Sequence, residues 1–191
     1  MTHVVLIKAG PTPWEAETRL VGNLSLPLTE DARAKIMVLL DELPPIDTVY
    51  HFKKNEACHA VAKMVATKSK IPARDNAKLD EWSLGLWQGL RMEELHQRYP
   101  TAIEQWEQSP ASVVPPEGEA FEDVVSRLHG AVRNIVRRNA GYTIAIPLRP
   151  MAMQITGGIL RRENAEQIAA HLHNDTPMET ISVGDEVIKE I

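Results

Sequence analysis

The chain has 191 residues, a length that favours a single domain over residues 1–191, and hydrophobic residues make up 43% of it, which excludes wholesale disorder. With 21 basic against 26 acidic residues, a net charge of −5 and no long basic run, binding to nucleic acid or to a membrane surface is not expected. No apolar run approaches the ~18 residues of a membrane span and the N-terminus lacks a signal-peptide pattern, so we expect a cytoplasmic protein. The single cysteine, Cys58, excludes an internal disulfide.

The first part of the chain alternates short apolar runs with helical patterns. Residues 4–7 predict a buried strand, and residues 48–52 predict a second one. A helix is predicted to begin after Thr29, whose hydroxyl is a suitable N-cap, and to end before Pro44. Another helix is predicted to follow Asn55, since small and apolar residues recur there at helical spacing.

The middle of the chain is less regular. Residues 79–89 predict a structured loop, and residues 90–118 predict a helical insertion that ends in a proline-rich connector. A long amphipathic helix is predicted from Phe121 to Gly141, followed by a third buried strand over residues 143–146.

The last part of the chain predicts a helix over residues 165–172 and a hairpin of residues 180–183 with 187–191. Strands followed by helices of this length predict βαβ units and an α/β fold with a mostly parallel sheet. Ligands bind such sheets at the C-terminal ends of the strands, so we expect a site in the loops that begin at Lys8, His51 and Pro147.

Four segments resemble, in order and spacing, motifs of the histidine phosphatase superfamily, the phosphoglycerate mutase-like proteins. They are residues 6–15, 19–30, 79–90 and 115–121. The first is similar to the family pattern Leu-Ile-Arg-His-Gly-x-Thr-x-Trp-Asn. The resemblance implies a three-layer phosphoglycerate mutase-like fold, with a mostly parallel central sheet and helices on both faces.

The resemblance also implies a chemistry, in which one histidine attacks phosphorus, two arginines and a second histidine hold the phosphate oxygens, and a carboxylic acid protonates the leaving oxygen. Carried onto this sequence, the nucleophile position falls on Ala9, the two arginine positions on Lys8 and Glu56, the second histidine on Leu148 and the acid on Glu81. Ala9 has no lone pair, Lys8 lacks the planar fork of arginine, and Glu56 reverses the charge. Only Glu81 keeps the family's residue type.

Five more residues are expected to line the cleft, because the motifs that they follow border the family's pocket: Thr12, Trp14, Arg19, Gly22 and Arg149. Lys8 and Glu56 either form an ion pair across the cleft or point separately to solvent. Leu148 either fills the cleft with apolar groups or belongs to an ordinary loop. No cofactor and no metal site are expected.

These departures predict a catalytically inactive pseudoenzyme that acts as a binding or regulatory protein. Its partner would be another protein or an altered small-molecule ligand; a homodimer is compatible with the sequence, which carries no interface signal. The alternative is a residual or altered phosphomonoester hydrolase that uses Glu81 and Lys8. His51, at the end of a predicted strand, is weighed as a replacement nucleophile, although a packing or surface role is favoured.

Overall fold

A computed structural model describes residues 1–184 of the chain. Its helices and strands run in the order β1 (Thr2–Lys8), α1 (Pro13–Ala16), α2 (Glu30–Leu39), β2 (Thr48–His51), α3 (Glu56–Ser69), β3 (Ala73–Asp75), α4 (Met92–Arg98), α5 (Pro100–Gln108), α6 (Phe121–Arg138), β4 (Thr143–Leu148), α7 (Pro150–Arg161), α8 (Ala165–Ala170) and β5 (Met178–Val183). Among these residues, no helix is both long and apolar enough to cross a membrane.

The five strands form one sheet in the order β3-β2-β4-β1-β5. The first four are parallel to one another, and β5 runs antiparallel to β1. The pairing of β1 with β4 continues to their last residues, Lys8 and Leu148, so both strands end at the same edge of the sheet. The mostly parallel α/β sheet is confirmed, and the loops that follow β1 and β4 lie side by side.

Helices cover both faces of the sheet, which confirms the three-layer architecture. Val5 and Ile7 of β1 belong to the core under α2 and α3, whereas Val4 and Leu6 belong to the core under α6 and α7. Successive side chains of a strand point to opposite faces. Because both faces are covered, the strand is an unbroken apolar run, as parallel strands between two helical layers are.

Three elements, α1, α7 and β3, are absent from the sequence prediction; α1 is a single turn of four residues. The segment of α7 holds Pro150 and the pair Gly157-Gly158, residue types that disfavour a helix interior. Pro150 lies in the first turn, where the missing N–H has no intrahelical partner to lose. A Cβ on Gly158 would lie 2.5 Å from Ile168 of α8, so glycine permits the close packing of the two helices. The strand β3 has three exposed residues and thus no apolar pattern to detect.

The predicted C-terminal hairpin is only partly described. Its first half is the strand β5, whose neighbour is β1, with Thr2 opposite Val183 and Ile7 opposite Met178. Residues 187–191, its predicted second half, lie outside the described residues. The other predicted elements are present within a few residues, including α6 and the irregular segment 79–89. A short 3₁₀ turn, Ala77–Leu79, leads into this segment, and a second one, Gly85–Trp87, lies within it.

Candidate functional site

The candidate site lies at the shared C-terminal edge of β1 and β4, where the sequence predicted it. Ala9 follows β1, and its backbone N–H donates to the carbonyl of Leu148 at 2.7 Å. Arg149 follows β4 and is the N-cap residue of α7. Glu81 approaches from the segment 79–89. Three loops that are distant in sequence therefore meet at one point.

The guanidinium of Arg149 fills the space beside Ala9. Arg149 is only 2% exposed. Its Nη2 forms an ion pair with Oε1 of Glu15 at 2.7 Å, and its Nη1 donates to the carbonyl oxygen of Ala9. A Cβ added to Gly10 would lie 2.8 Å from Nη1, which shows how closely the guanidinium packs on this loop. The side chain of Arg149 thus occupies the space next to Ala9, the residue at the family's nucleophile position.

Glu15 is held in place by the short helix α1. Its Oε2 accepts the backbone N–H of Thr12 at 2.6 Å, which satisfies one of the unpaired donors at the helix N-terminus. Its other oxygen is the partner of Arg149. We did not predict Glu15 as a site residue, although a signal is present: the family pattern has asparagine where this chain has Glu15.

The carboxylate of Glu81 caps the N-terminus of α7. Oε2 accepts the N–H of Met151 at 2.9 Å, and Oε1 accepts those of Ala152 at 2.8 Å and Trp82 at 2.7 Å. Glu81 is 2% exposed, and this burial raises its pKa to about 7, against the lowering effect of the three N–H donors and of Arg149. Both of its oxygens are already engaged.

The loop that carries Glu81 is fixed to the helix α6. Arg127 donates to the carbonyl oxygens of Lys78 at 3.0 Å and Asp80 at 2.9 Å, and pairs with Glu119 at 3.0 Å. The indole N–H of Trp82 donates to the carbonyl oxygen of Glu119 at 2.9 Å. The family-like motif around Glu81 therefore has a structural task that does not depend on catalysis.

Lys8 and Glu56 are not brought together. Lys8 forms an ion pair with Asp175. Glu56 is exposed at the first turn of α3 and has no ion pair among the described residues. The pairing of Lys8 with Glu56 that we considered is therefore wrong, and Glu56 does not oppose Lys8 across the cleft.

Leu148 does not fill the cleft either. Its side chain is fully buried in the core between the sheet and the helices α6 and α7. The next residue, Arg149, is the one that faces Glu81, because successive side chains of an extended segment point in opposite directions. The cleft is occupied, but by a charged group rather than by the apolar side chain that we considered.

Cys58 lies on the α3 side of the same region. It is buried, and this burial raises the pKa of its thiol to about 12, although the nearby guanidinium of Arg149 lowers it. A thiol with such a pKa is not a nucleophile near neutral pH. Cys58 therefore has a packing role.

What remains open is a cleft of 120 Å³. Of the expected lining residues, Arg19, Gly22 and Arg149 border it, together with Glu15, Glu81 and Met151. Thr12 and Trp14 do not border it: Thr12 is buried, and Trp14 packs against Gly89. The lining carries two guanidinium and two carboxyl groups.

The histidines lie away from this cleft. Seven occur in the chain, all within the described residues, and none lines the cleft. His51 is buried, and its Nε2 lies 2.9 Å from Nδ1 of His59. Burial and the neighbouring His59 lower the pKa of His51. Among residues 1–184, no group of three or more His, Cys, Asp or Glu side chains is arranged to hold a metal ion.

Known proteins share this fold and sequence pattern. The chain resembles the structure of Bacillus stearothermophilus YhfR with a TM-score of 0.85 and 27% identity, over 97% of this chain and 93% of that one. The α-ribazole phosphatase of Shigella flexneri has a TM-score of 0.82 at 20% identity, over 96% and 92% of the two chains, which shows a common fold. Phosphoserine phosphatase 1 of Hydrogenobacter thermophilus is 23% identical over 164 residues, 82% of this chain and 77% of the relative.

The match to a family model covers almost the whole chain. The model of the histidine phosphatase superfamily, branch 1, matches residues 4–181, a span that includes every strand of the sheet but the ends of β1 and β5. The order of the strands and the four sequence motifs agree with that match. The chain belongs to branch 1 of the histidine phosphatase superfamily.

Proposed function

We propose that this chain is a catalytically inactive member of the superfamily, a pseudoenzyme that acts in the cytoplasm as a binding or regulatory protein. The observation that carries the proposal is the ion pair of the buried Arg149 with the partly buried Glu15, beside Ala9. In an active relative this space must admit a phosphoryl group and the imidazole that attacks it. Here it holds a guanidinium that is already neutralised.

The charges of the cleft also support the proposal. Arg149 is paired with Glu15. Arg19 is paired with Glu17 and Glu94, so neither guanidinium is free to hold a phosphate dianion. A pair of unit charges ~4 Å apart contributes roughly 4 kcal/mol at an effective dielectric constant of 20. A phosphate that reached Arg149 would have to displace Glu15 and would then repel it. Binding of the dianion is therefore disfavoured before any chemistry begins.

The alternative, a residual hydrolase that uses Glu81 and Lys8, has weaker support. Lys8 borders a different cavity, together with Lys35 and Asp175, and its ammonium group is paired with Asp175. Both oxygens of Glu81 accept backbone N–H groups of the α7 cap. The two side chains do not share a cavity in which a substrate could contact both. The partner of the inactive protein is proposed to be another protein or a small molecule other than a phosphomonoester.

An assay with p-nitrophenyl phosphate tests the proposal. We expect no turnover above that of a matched empty preparation, and no saturable rise in melting temperature with phosphate, sulfate or vanadate, since an oxyanion that bound the native state would stabilise it. Lys8→Met is the control for the alternative. Turnover that co-purifies with the protein and is lost in Lys8→Met would establish the hydrolase instead.

A further inference from the structure

A groove that is separate from the cleft lies between α2 and α3. It has a volume of 640 Å³ and shares no residue with the cleft. Its apolar surface is formed by Met37, Leu40, Ala60 and Met64. Met37 is 58% exposed. Sites for small organic ligands have volumes of about 300–1,000 Å³, with apolar walls and a few polar groups.

One ion pair connects α3 to the end of α2 and gives the relative position of the two helices along the groove. Lys68 of α3 pairs with Asp41, just beyond α2, at 2.5 Å and closes one end of the groove. Arg33 lies eight residues before Asp41, or about 12 Å along the helix. Ala60 lies eight residues before Lys68, the partner of Asp41, so Arg33 and Ala60 lie at about the same height on the two helices. Lys63 follows Ala60 by about one turn. Both Arg33 and Lys63 line the groove, on opposite walls.

These two cations are available to a ligand. Neither Arg33 nor Lys63 has an ion-pair partner within residues 1–184 of the structure, whereas Lys68 is already paired. The lining carries three cations and two carboxylates, so the groove is locally positive on a chain whose net charge is −5. Glu56, at the opposite end from Lys68, is the one carboxylate of the lining without such a partner.

His59 adds a polar group at the same end. Its ring centroid lies 5.1 Å from that of His51, while the facing nitrogens are 2.9 Å apart and the planes differ by 17°, so the two rings meet edge to edge. The hydrogen bond occupies Nδ1 of His59 in either tautomer. Because His59 lines the groove, Nε2 is the ring nitrogen left to meet a ligand. The buried ring of His51 holds it in that orientation.

We propose that the α2–α3 groove binds an amphipathic organic anion, an aliphatic carboxylate whose head group lies between Arg33, Lys63 and His59. Its chain lies along Met37, Leu40 and Met64 and ends before the pair of Lys68 with Asp41. Flexible methionine side chains can adapt to such a chain. The site goes beyond the proposed loss of catalysis and does not depend on it.

Calorimetric titration with octanoate tests the site. Two control ligands are 1-octanol, which lacks the charge, and acetate, which lacks the aliphatic chain. We expect saturable binding of octanoate only. Arg33→Gln and Lys63→Gln should each weaken it about fivefold, as expected for a partly exposed ion pair. Glu56→Gln should tighten binding, because it removes the carboxylate nearest to the head group.

The matched control is Arg137→Gln, which changes an exposed arginine of α6 on the opposite face of the sheet. It should leave octanoate binding unchanged. Three results would overturn the proposal: no saturable binding of octanoate, equal binding of octanol, or a double variant Arg33→Gln/Lys63→Gln that binds as tightly as the control. A ligand-free dimer in sedimentation that Met37→Asp dissociates would assign the groove to a second copy instead. None of these results alters the outcome expected with p-nitrophenyl phosphate.

Discussion

At the scale of single residues, Arg149 and Glu15 compensate each other's charge beside Ala9. Arg149 brings a charge into a buried position, where a charged side chain needs a partner. Glu15 supplies that partner, and its side chain is 25% exposed, so it keeps some contact with solvent. Either side chain alone would leave a charge poorly compensated. Together they form an ion pair beside Ala9, where we propose that the phosphate site of the family has been lost.

Replacing Glu15 and replacing Arg149 should lower the free energy of unfolding by different amounts. Glu15→Gln keeps an oxygen that can accept the N–H of Thr12 but leaves the buried guanidinium unpaired, and we expect it to lower the free energy of unfolding by about 3 kcal/mol. Arg149→Met leaves a carboxylate that can turn to solvent, and we expect a loss of about 1 kcal/mol. Urea unfolding of both variants measures the difference. A larger loss for Arg149→Met would contradict this account of the pair.

At the scale of elements, the helix α7 depends on a residue outside its own sequence. Its N-cap residue, Arg149, makes no side-chain cap hydrogen bond, and Pro150 follows it. Glu81, about seventy residues earlier in the chain, accepts the N–H groups of Met151 and Ala152. The carboxylate also lies at the positive end of the helix dipole. The residue at the family's acid position therefore caps a helix, a role that does not require catalysis.

The raised pKa of Glu81 predicts a pH dependence of stability. Its pKa is about 7 in the folded chain and 4.5 when unperturbed, so the folded state holds the proton more tightly between these values. The contribution of Glu81 to the free energy of unfolding is therefore fully present below pH 4.5 and is lost as the pH rises through 7. Between pH 5 and pH 8, the wild type should lose about 2 kcal/mol more than Glu81→Gln.

Urea unfolding at several pH values measures this difference. The pKa of Asp80 is also raised, to about 6, mainly by burial, so it contributes a similar trend to both proteins and cancels in the comparison. Parallel pH profiles for the wild type and Glu81→Gln would show that the carboxyl is ionised in the fold at pH 5.

At the scale of the whole molecule, the sheet brings together the loops that carry the family's site positions. The register of β1 with β4 places Ala9 and Arg149 side by side, and α6 holds the loop of Glu81 against them. The architecture of the family is present, while most residues at the family's catalytic positions differ in type. Restoring the groups therefore tests whether the scaffold alone retains the geometry that catalysis needs.

We expect Lys8→Arg with Ala9→His to hydrolyse p-nitrophenyl phosphate no faster than the wild type, because Arg149 and Glu15 still occupy the cleft. Adding Arg149→His and Glu15→Asn removes this ion pair and supplies a second imidazole, and should raise kcat/KM above the background. Steady-state assays of the two proteins measure the difference. Rapid turnover by the first variant would show that the ion pair is no barrier to phosphate.

Much of the fold, and the alanine at the family's nucleophile position, could be predicted from the sequence, because both depend on local patterns. The apolar runs, the caps and the four motifs are contiguous, and Ala9 cannot act as a nucleophile in any tertiary setting. The helix α7 and the pairing of β5 with β1 could not be predicted from the sequence, since both depend on contacts between distant segments.

The occupant of the cleft was decided by the tertiary structure alone. Leu148 and Arg149 are neighbours at the end of β4, and on an extended chain a change of one residue exchanges the two faces. Which of them meets Glu81 depends on the register of β4 with β1 and on where α7 begins. The sequence by itself determined which residues stand at the family's catalytic positions, whereas packing determined that an ion pair of Arg149 with Glu15 lies beside Ala9.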